Sequence, residues 1–227
     1  MRSKSSLVMV VLLFFAAVGL AAGVPAPPSI QVYFSPKGGC TEAVVDALSK
    51  AKSSVLVQAY SFTSAPIAKA LTDAHRRGVK IQVILDKSNQ TDKYSAATFA
   101  QNYRIPTFID DRHSIAHNKL IIIDGRTVLT GSFNFTKQAE ENNAENLLII
   151  DDPALAAKYT DAIVQQRLQY GGVFVNRRRN AAGDARVSRV PVARHRKAER
   201  ALEAQFHKIR PRAARGDFGA RPRHLHG

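Results

Sequence analysis

Between Ile30 and Tyr170 the chain alternates two rhythms. Short runs of apolar, β-branched residues, the mark of strands, occupy Ile30 to Phe34, Ser54 to Phe62, Val79 to Asp86, Ile105 to Ile109, His117 to Asp124, Thr127 to Ser132 and Glu145 to Asp151. Segments in which apolar positions recur every three or four residues predict helices from Thr41 to Ala51, Pro66 to Arg77, Ser95 to Asn102 and Pro153 to Tyr170. The last helix carries the clearest signals: Asp152 can cap it, Pro153 sits in its first turn, and Gly171-Gly172 ends it. Strands interleaved with helices define an α/β domain.

Both ends depart from this rhythm. Arg2 and Lys4 precede an unbroken apolar run from Leu7 to Leu20, and the small residues Ala21-Ala22-Gly23 follow. A basic start, an apolar stretch and a small-residue exit predict a cleaved export signal over residues 1–23, hence a secreted or periplasmic protein. An uncleaved, membrane-tethering anchor is the rival reading. Export invites disulfides, yet Cys40 is the chain's single cysteine, so no intrachain bridge can form and its ordinary reading is a small buried apolar residue.

Beyond Val175 the periodicity fails. Residues 176–227 hold fifteen Lys and Arg against four acids, out of a net charge of +15 for the whole chain. Such a stretch has too few large apolar residues to offset the entropy of ordering, and it is expected to be a disordered, Arg-rich basic tail. The organisation is therefore a signal peptide (1–23), a catalytic domain (24–175) and the tail (176–227). A basic tail suits either nucleic acid or anionic lipid headgroups.

Candidate chemistry concentrates in His117-Asn118-Lys119-Leu120-Ile121-Ile122-Ile123-Asp124-Gly125-Arg126-Thr127-Val128-Leu129-Thr130-Gly131-Ser132-Phe133-Asn134. On a strand, His117 and Lys119 share a face. Asp124-Gly125 signals a hairpin, so the following strand returns antiparallel. A turn at Asp124-Gly125 sets His117 opposite Ser132; one at Gly125-Arg126 sets it opposite Asn134 and Lys119 opposite Ser132. Either register gathers the same four polar side chains.

An imidazole, an ammonium, a hydroxyl and a carboxamide make a poor core but a good phosphate site. Lys119 supplies charge, Ser132 and Asn134 supply neutral hydrogen bonds, and Gly131 lets backbone approach a phosphate closely, all where negative charge gathers on a pentacoordinate phosphorus. His117 is then a nucleophile toward phosphorus, and Glu145, opening the next strand, is the candidate carboxylate to orient its ring. Asp124 has the opposite parity and adjoins the turn, which gives it a structural role. His113, in the loop before His117, is either an ordinary loop residue or a local acid that meets substrate. A metal site made from His113, His117 and Asp110 or Asp111 is disfavoured, because Lys119 would repel the cation.

The pattern His-x-Lys-x4-Asp-x6-Gly-Ser-x-Asn resembles the signature of the phospholipase D superfamily. The segments Ala59-Tyr60-Ser61-Phe62-Thr63, Thr130 to Thr136 and Ala144-Glu145-Asn146 resemble its single-motif bacterial endonuclease branch. The resemblance spans about Ile30 to Tyr170 and leaves the tail unexplained. It implies a mixed β-sheet flanked by helices, catalysis without metal or other cofactor, and His117, Lys119, Ser132, Asn134 and Glu145 as catalytic residues. One motif supplies one histidine, whereas protonating the leaving oxygen needs a second acid. The branch implies a homodimer with a shared active site. The expected substrate is DNA or RNA, cleaved without sequence preference. The alternatives are a phospholipase D acting on glycerophospholipids and a nucleic-acid- or membrane-binding protein whose site is vestigial.

Overall fold

The protein is described from a computed structural model that places residues 27–90, 103–170 and 173–174. The expected signal peptide, the expected helix from Ser95 to Asn102 and the basic tail lie outside the described residues. Among these residues the chain order is β1 (Ser29–Ser35), α1 (Cys40–Ser49), β2 (Ser54–Ala59), α2 (Ala65–Arg76), β3 (Lys80–Asp86), a 3-10 turn (Lys87–Gln90), β4 (Thr107–Asp110), β5 (Lys119–Ile123), β6 (Thr127–Gly131), α3 (Lys137–Glu141), β7 (Glu145–Asp151), α4 (Pro153–Tyr170) and β8 (Val173–Phe174).

One mixed sheet holds the described strands in the order β1-β7-β6-β5-β2-β3-β4-β8. β2, β3 and β4 run parallel, and the remaining neighbours pair antiparallel. The α/β expectation, with a mixed sheet between helices, holds. The central strands are apolar on both faces because helices cover both. Val55, Val57, Leu85, Ile121 and Leu129 belong to the core beneath α1 and α2, whereas Leu56, Ile84, Leu120, Ile122 and Val128 pack with Ala156 and Ile163 of α4. The Asp152 Oδ1 accepts from the N–H groups of Ala154 (2.8 Å) and Leu155 (3.0 Å), so the expected cap of α4 is made. Cys40 is fully buried, and burial together with the Glu140 carboxylate pushes its thiol up to about 11, which leaves it an inert apolar residue.

The β5–β6 hairpin departs from both expected registers. Ile123 pairs with Thr127 and Leu120 with Thr130, so three residues connect the strands. Asp124 (φ 55) and Gly125 (φ 63) form the tight turn that the Asp-Gly pair signals, closed by the Arg126 N–H on the Ile123 carbonyl at 3.0 Å. Arg126 is then one extra residue before pairing begins, and its guanidinium meets Asp151 at 2.6 Å. The register consequently lies midway between the two expected, and Lys119 falls level with Gly131 rather than with Ser132.

The topology points many strand ends to one edge. The carboxyl ends of β1, β2, β3, β4 and β6 and the amino ends of β5 and β7 all lie there, since Ser35 pairs with Glu145, Ala59 with Lys119, Asp86 with Asp110 and Gly131 with Leu147.

Candidate active site

That edge holds the expected chemical groups. Lys119 is the first residue of β5, and His117 and Asn118 precede it rather than starting the strand. His117 is exposed, whereas Lys119 is only 7% exposed. The Lys119 ammonium donates to the His117 carbonyl at 2.8 Å and lies 5.1 Å from the centre of the Tyr60 ring. Burial pulls this ammonium below the usual lysine value, and the Glu145 carboxylate opposes that in part. A partly desolvated cation with incomplete compensation is a strong receptor for a phosphate oxygen.

β6 ends at Gly131, whose φ of +151° turns the chain out of the ladder. A Cβ there would stand 2.2 Å from the Asn146 carbonyl oxygen, so only glycine allows this approach. Past it, the N–H groups of Ser132 (3.1 Å) and Phe133 (3.2 Å) both reach that carbonyl, and the Ser132 hydroxyl accepts from the Asn146 N–H at 3.0 Å. Ser132 and Asn134 thus lie in a turning segment beyond the strand, not on it. Asn134 is half-buried, and its Oδ1 is shielded from solvent without a hydrogen-bond partner. The unpartnered atom is an acceptor; the group that Asn134 can offer a phosphate oxygen is its Nδ2 donor. Phe62 and Phe135 hold the segment to the loop after β2: the residues bridge, their rings meet edge to face at 5.7 Å, and the Phe135 carbonyl accepts from Thr63 (3.0 Å) and Ser64 (2.9 Å).

Glu145 opens β7 on the sheet face that carries Lys119, two strands away. Its Oε1 accepts from Asn143 Nδ2 at 3.0 Å. The expected hydrogen bond from the His117 ring to the Glu145 carboxylate is absent among the described residues, where β6 stands between β7 and β5. Its charge reaches Lys119 instead. Asp124 sits at the far end of β5, where its carboxylate accepts from Lys52 N (2.9 Å), Ser53 N (2.7 Å), Ser53 Oγ (2.8 Å) and Ser54 N (2.9 Å). His113 is bound to Asp110, Nδ1 to Oδ2, at 2.7 Å.

Three residues escaped the sequence analysis as parts of the site. Tyr60 packs on His117. Asn89 donates to the Tyr60 carbonyl at 2.7 Å. Asp86, 3% exposed, accepts from Ser88 N (2.9 Å) and from Ala116 N (2.7 Å), which fixes the peptide just before His117. Burial works against its charged form, but the N–H groups of Ser88 and Ala116 outweigh it and hold the carboxyl below the usual range. The available signal was an acid ending the run Ile81 to Leu85, apolar but for Gln82, at a strand end facing the motif.

A mixed sheet that delivers a histidine, a buried lysine, a Gly-Ser-x-Asn turn and a glutamate to one edge defines a phospholipase D-like domain. Residues 44–166 match the family described as Cardiolipin synthase, PLD-like domain, and the chain belongs to that family. Nuc from Salmonella typhimurium, a phospholipase D family member, superposes with a TM-score of 0.62 at 40% identity, covering 66% of this chain and 99% of that one. NucT from Helicobacter pylori gives 0.58 at 28% identity, covering 63% and 97%. The protein named Phospholipase D in Rickettsia conorii is 45% identical over 130 residues, which is 57% of this chain and 65% of that protein. The mitochondrial cardiolipin hydrolase of Xenopus laevis is 35% identical over 100 residues, covering 44% and 48%. The chain therefore spans just under two thirds of the Rickettsia protein and about half of the Xenopus one.

Proposed function

We propose that the chain is a metal-independent phosphodiesterase in which His117 attacks phosphorus and carries the phosphoryl group, and that its substrate is nucleic acid. The carrying observation is the pairing of an exposed imidazole with a buried, desolvated ammonium that touches the same peptide. Attack breaks the bond to one ester oxygen and forms N–P; water then breaks N–P and frees the histidine. Lys119, Ser132 and Asn134 hold the phosphate oxygens as charge builds, and Glu145 helps to keep Lys119 protonated. The structural likeness to Nuc and NucT supports the nuclease reading.

A second acid is needed to protonate the leaving oxygen, and the motif histidine of a twofold partner would supply it. Exposed apolar side chains support a homodimer: Ile30, Val32 and Phe34 run along the outermost strand, with Phe34 next to its site end, and Ile115 precedes His117 by two residues. The relatives named Phospholipase D and mitochondrial cardiolipin hydrolase favour a second reading, lipid phosphodiester cleavage at the same site.

The test offers the purified chain double- and single-stranded DNA, RNA, and phosphatidylcholine or cardiolipin vesicles, with EDTA present and His117→Ala as control. EDTA-resistant nucleic-acid cleavage that vanishes in the variant while binding persists is expected. Turnover of lipid alone selects the second reading. Binding without turnover by the unmodified chain leaves a binding protein.

A further inference from the structure

Tyr60 is the one described side chain shown in ring or cation contact with both His117 and Lys119. Its ring lies 4.6 Å from the imidazole, centroid to centroid, tilted at 59°, and the Lys119 ammonium stands 5.1 Å from its centre. The tilted pair is a favoured aromatic geometry, and an ammonium near a phenol ring is held by the ring's quadrupole, more strongly where water is excluded. The backbone of Tyr60 is fixed on both sides: its N–H donates to the Asn118 carbonyl at 2.9 Å, and its carbonyl accepts from the buried Asn89 side chain. The backbone that carries the ring is thus anchored to the residue just before β5 and to the 3-10 turn after β3, independently of the His117 side chain.

This anchoring answers a question left by Glu145, which makes no hydrogen bond to the imidazole. An exposed histidine on a loop samples several rotamers, and only one aims a ring nitrogen at phosphorus. We propose that Tyr60 is the positioning residue that selects this rotamer and at the same time holds the Lys119 ammonium beside the His117 peptide. It acts through the face and edge of its ring, not through its hydroxyl, and does not take part in proton or phosphoryl transfer. The role rests on the phosphohistidine reading above, although the contact with His117 does not.

The experiment compares the full chain with Tyr60→Phe and Tyr60→Leu. Proton–carbon NMR of histidine-labelled protein, with the His117 ring peak assigned by its loss in His117→Asn, reads the contact without any substrate. Tyr60→Phe is expected to leave that peak in place and kcat within about threefold, whereas Tyr60→Leu moves the peak and lowers kcat by roughly 10- to 100-fold at nearly constant KM. Quenched single-turnover assays with radiolabelled phosphodiester should show the phosphohistidine forming more slowly in Tyr60→Leu by the same factor. A His117 peak and kcat both unchanged in Tyr60→Leu overturn the proposal, as does a loss of kcat in Tyr60→Phe equal to that in Tyr60→Leu. If Tyr60→Leu does not fold, Tyr60→Met takes its place under the same criteria. A wild-type chain that turns over no phosphodiester defeats the functional reading instead, while the NMR comparison still decides whether Tyr60 orients His117.

Discussion

Asp124 is part of the sequence signature, yet its surroundings make it a structural clamp, and Asp124→Asn separates the two roles. The carboxylate accepts four hydrogen bonds from Lys52 to Ser54, three of them on Oδ1 at 2.7, 2.8 and 2.9 Å. Asparagine keeps one oxygen for those three and turns its NH2 toward the Lys52 N–H, donor against donor. One charge-assisted bond is lost, worth about 1.5–3 kcal/mol, and the other three weaken as their acceptor becomes neutral. Solvent access at Lys52 softens the loss. The expected cost is about 2–3 kcal/mol, or a fall in Tm of roughly 4–12 °C for a domain of this size.

The pH dependence has a definite sign. Burial disfavours the charged form of Asp124, but the N–H groups of Ser54, Ser53 and Lys52 outweigh it and lower the pKa from 3.8. A carboxyl depressed in the folded state contributes stability that is complete above its unfolded pKa and is lost as pH falls through the folded one. The stability gap between wild type and Asp124→Asn should therefore be full at neutral pH, begin to shrink below about pH 4 and close only as pH falls through the depressed folded pKa. Thermal melts by circular dichroism across pH 3 to 7 read it, and turnover at 25 °C completes the comparison. Asp124 is roughly 20 Å along the strand from His117, so kcat of the folded variant should stay within about twofold. A tenfold loss of kcat with an unchanged Tm would refute the clamp and place Asp124 in the chemistry.

Two further outcomes follow from the same geometry. Gly131→Ala sets a Cβ 2.2 Å from the Asn146 carbonyl at a φ of +151°, so Ser132 must move; turnover should fall at least about 100-fold and Tm by several degrees, and a variant with full activity contradicts the assigned turn. Lys119 loses its proton below the usual lysine value of 10.5, so the alkaline fall in kcat/KM should lie below that pH while circular dichroism stays native. The folded state disfavours the Lys119 cation, so deprotonation in that window favours folding; loss of activity only together with the native signal would mean that unfolding, not titration, sets the limb.

The α/β architecture was legible because the apolar runs are short, β-branched and clearly punctuated, and the strand from Glu145 to Asp151 and the helix from Pro153 to Tyr170 match their expected spans. The motif was legible as chemistry because polar groups at strand period are costly in a core. The details of the hairpin were not. Arg126 reads as a strand-flanking residue, and nothing local says that it is spent as an unpaired residue that shifts the register by one. Gly131 reads as a phosphate-approach glycine, whereas its demonstrated necessity is the close contact with Asn146, a partner fixed by β7 pairing. Tyr60, Asp86 and Asn89 lie 28 to 57 residues from His117 in sequence, and only the crossover that sets β2 beside β5, with β3 next to it, brings them to the motif.

The spacing of the signature acts as a ruler for that crossover. β2 and β5 pair from Val55 with Ile123 to Ala59 with Lys119. At one end of this ladder the Asp124 carboxylate grips Ser54 as β2 begins, and at the other the Asn118 carbonyl accepts from Tyr60 as β2 ends. Asp124 and His117 therefore specify opposite ends of one register, and the intervening Leu120 to Ile123, all buried, alternate between the two helical layers. A slip of one residue would send Lys119 to the α4 face and Ile122 to the other, at the cost of burying a charge in an apolar layer and of breaking the Asp124 grip. The number of residues between lysine and aspartate is thus set by strand pairing, and the chemistry inherits its precision from that pairing: the register that satisfies Asp124 is the one that delivers His117 to the Tyr60 ring.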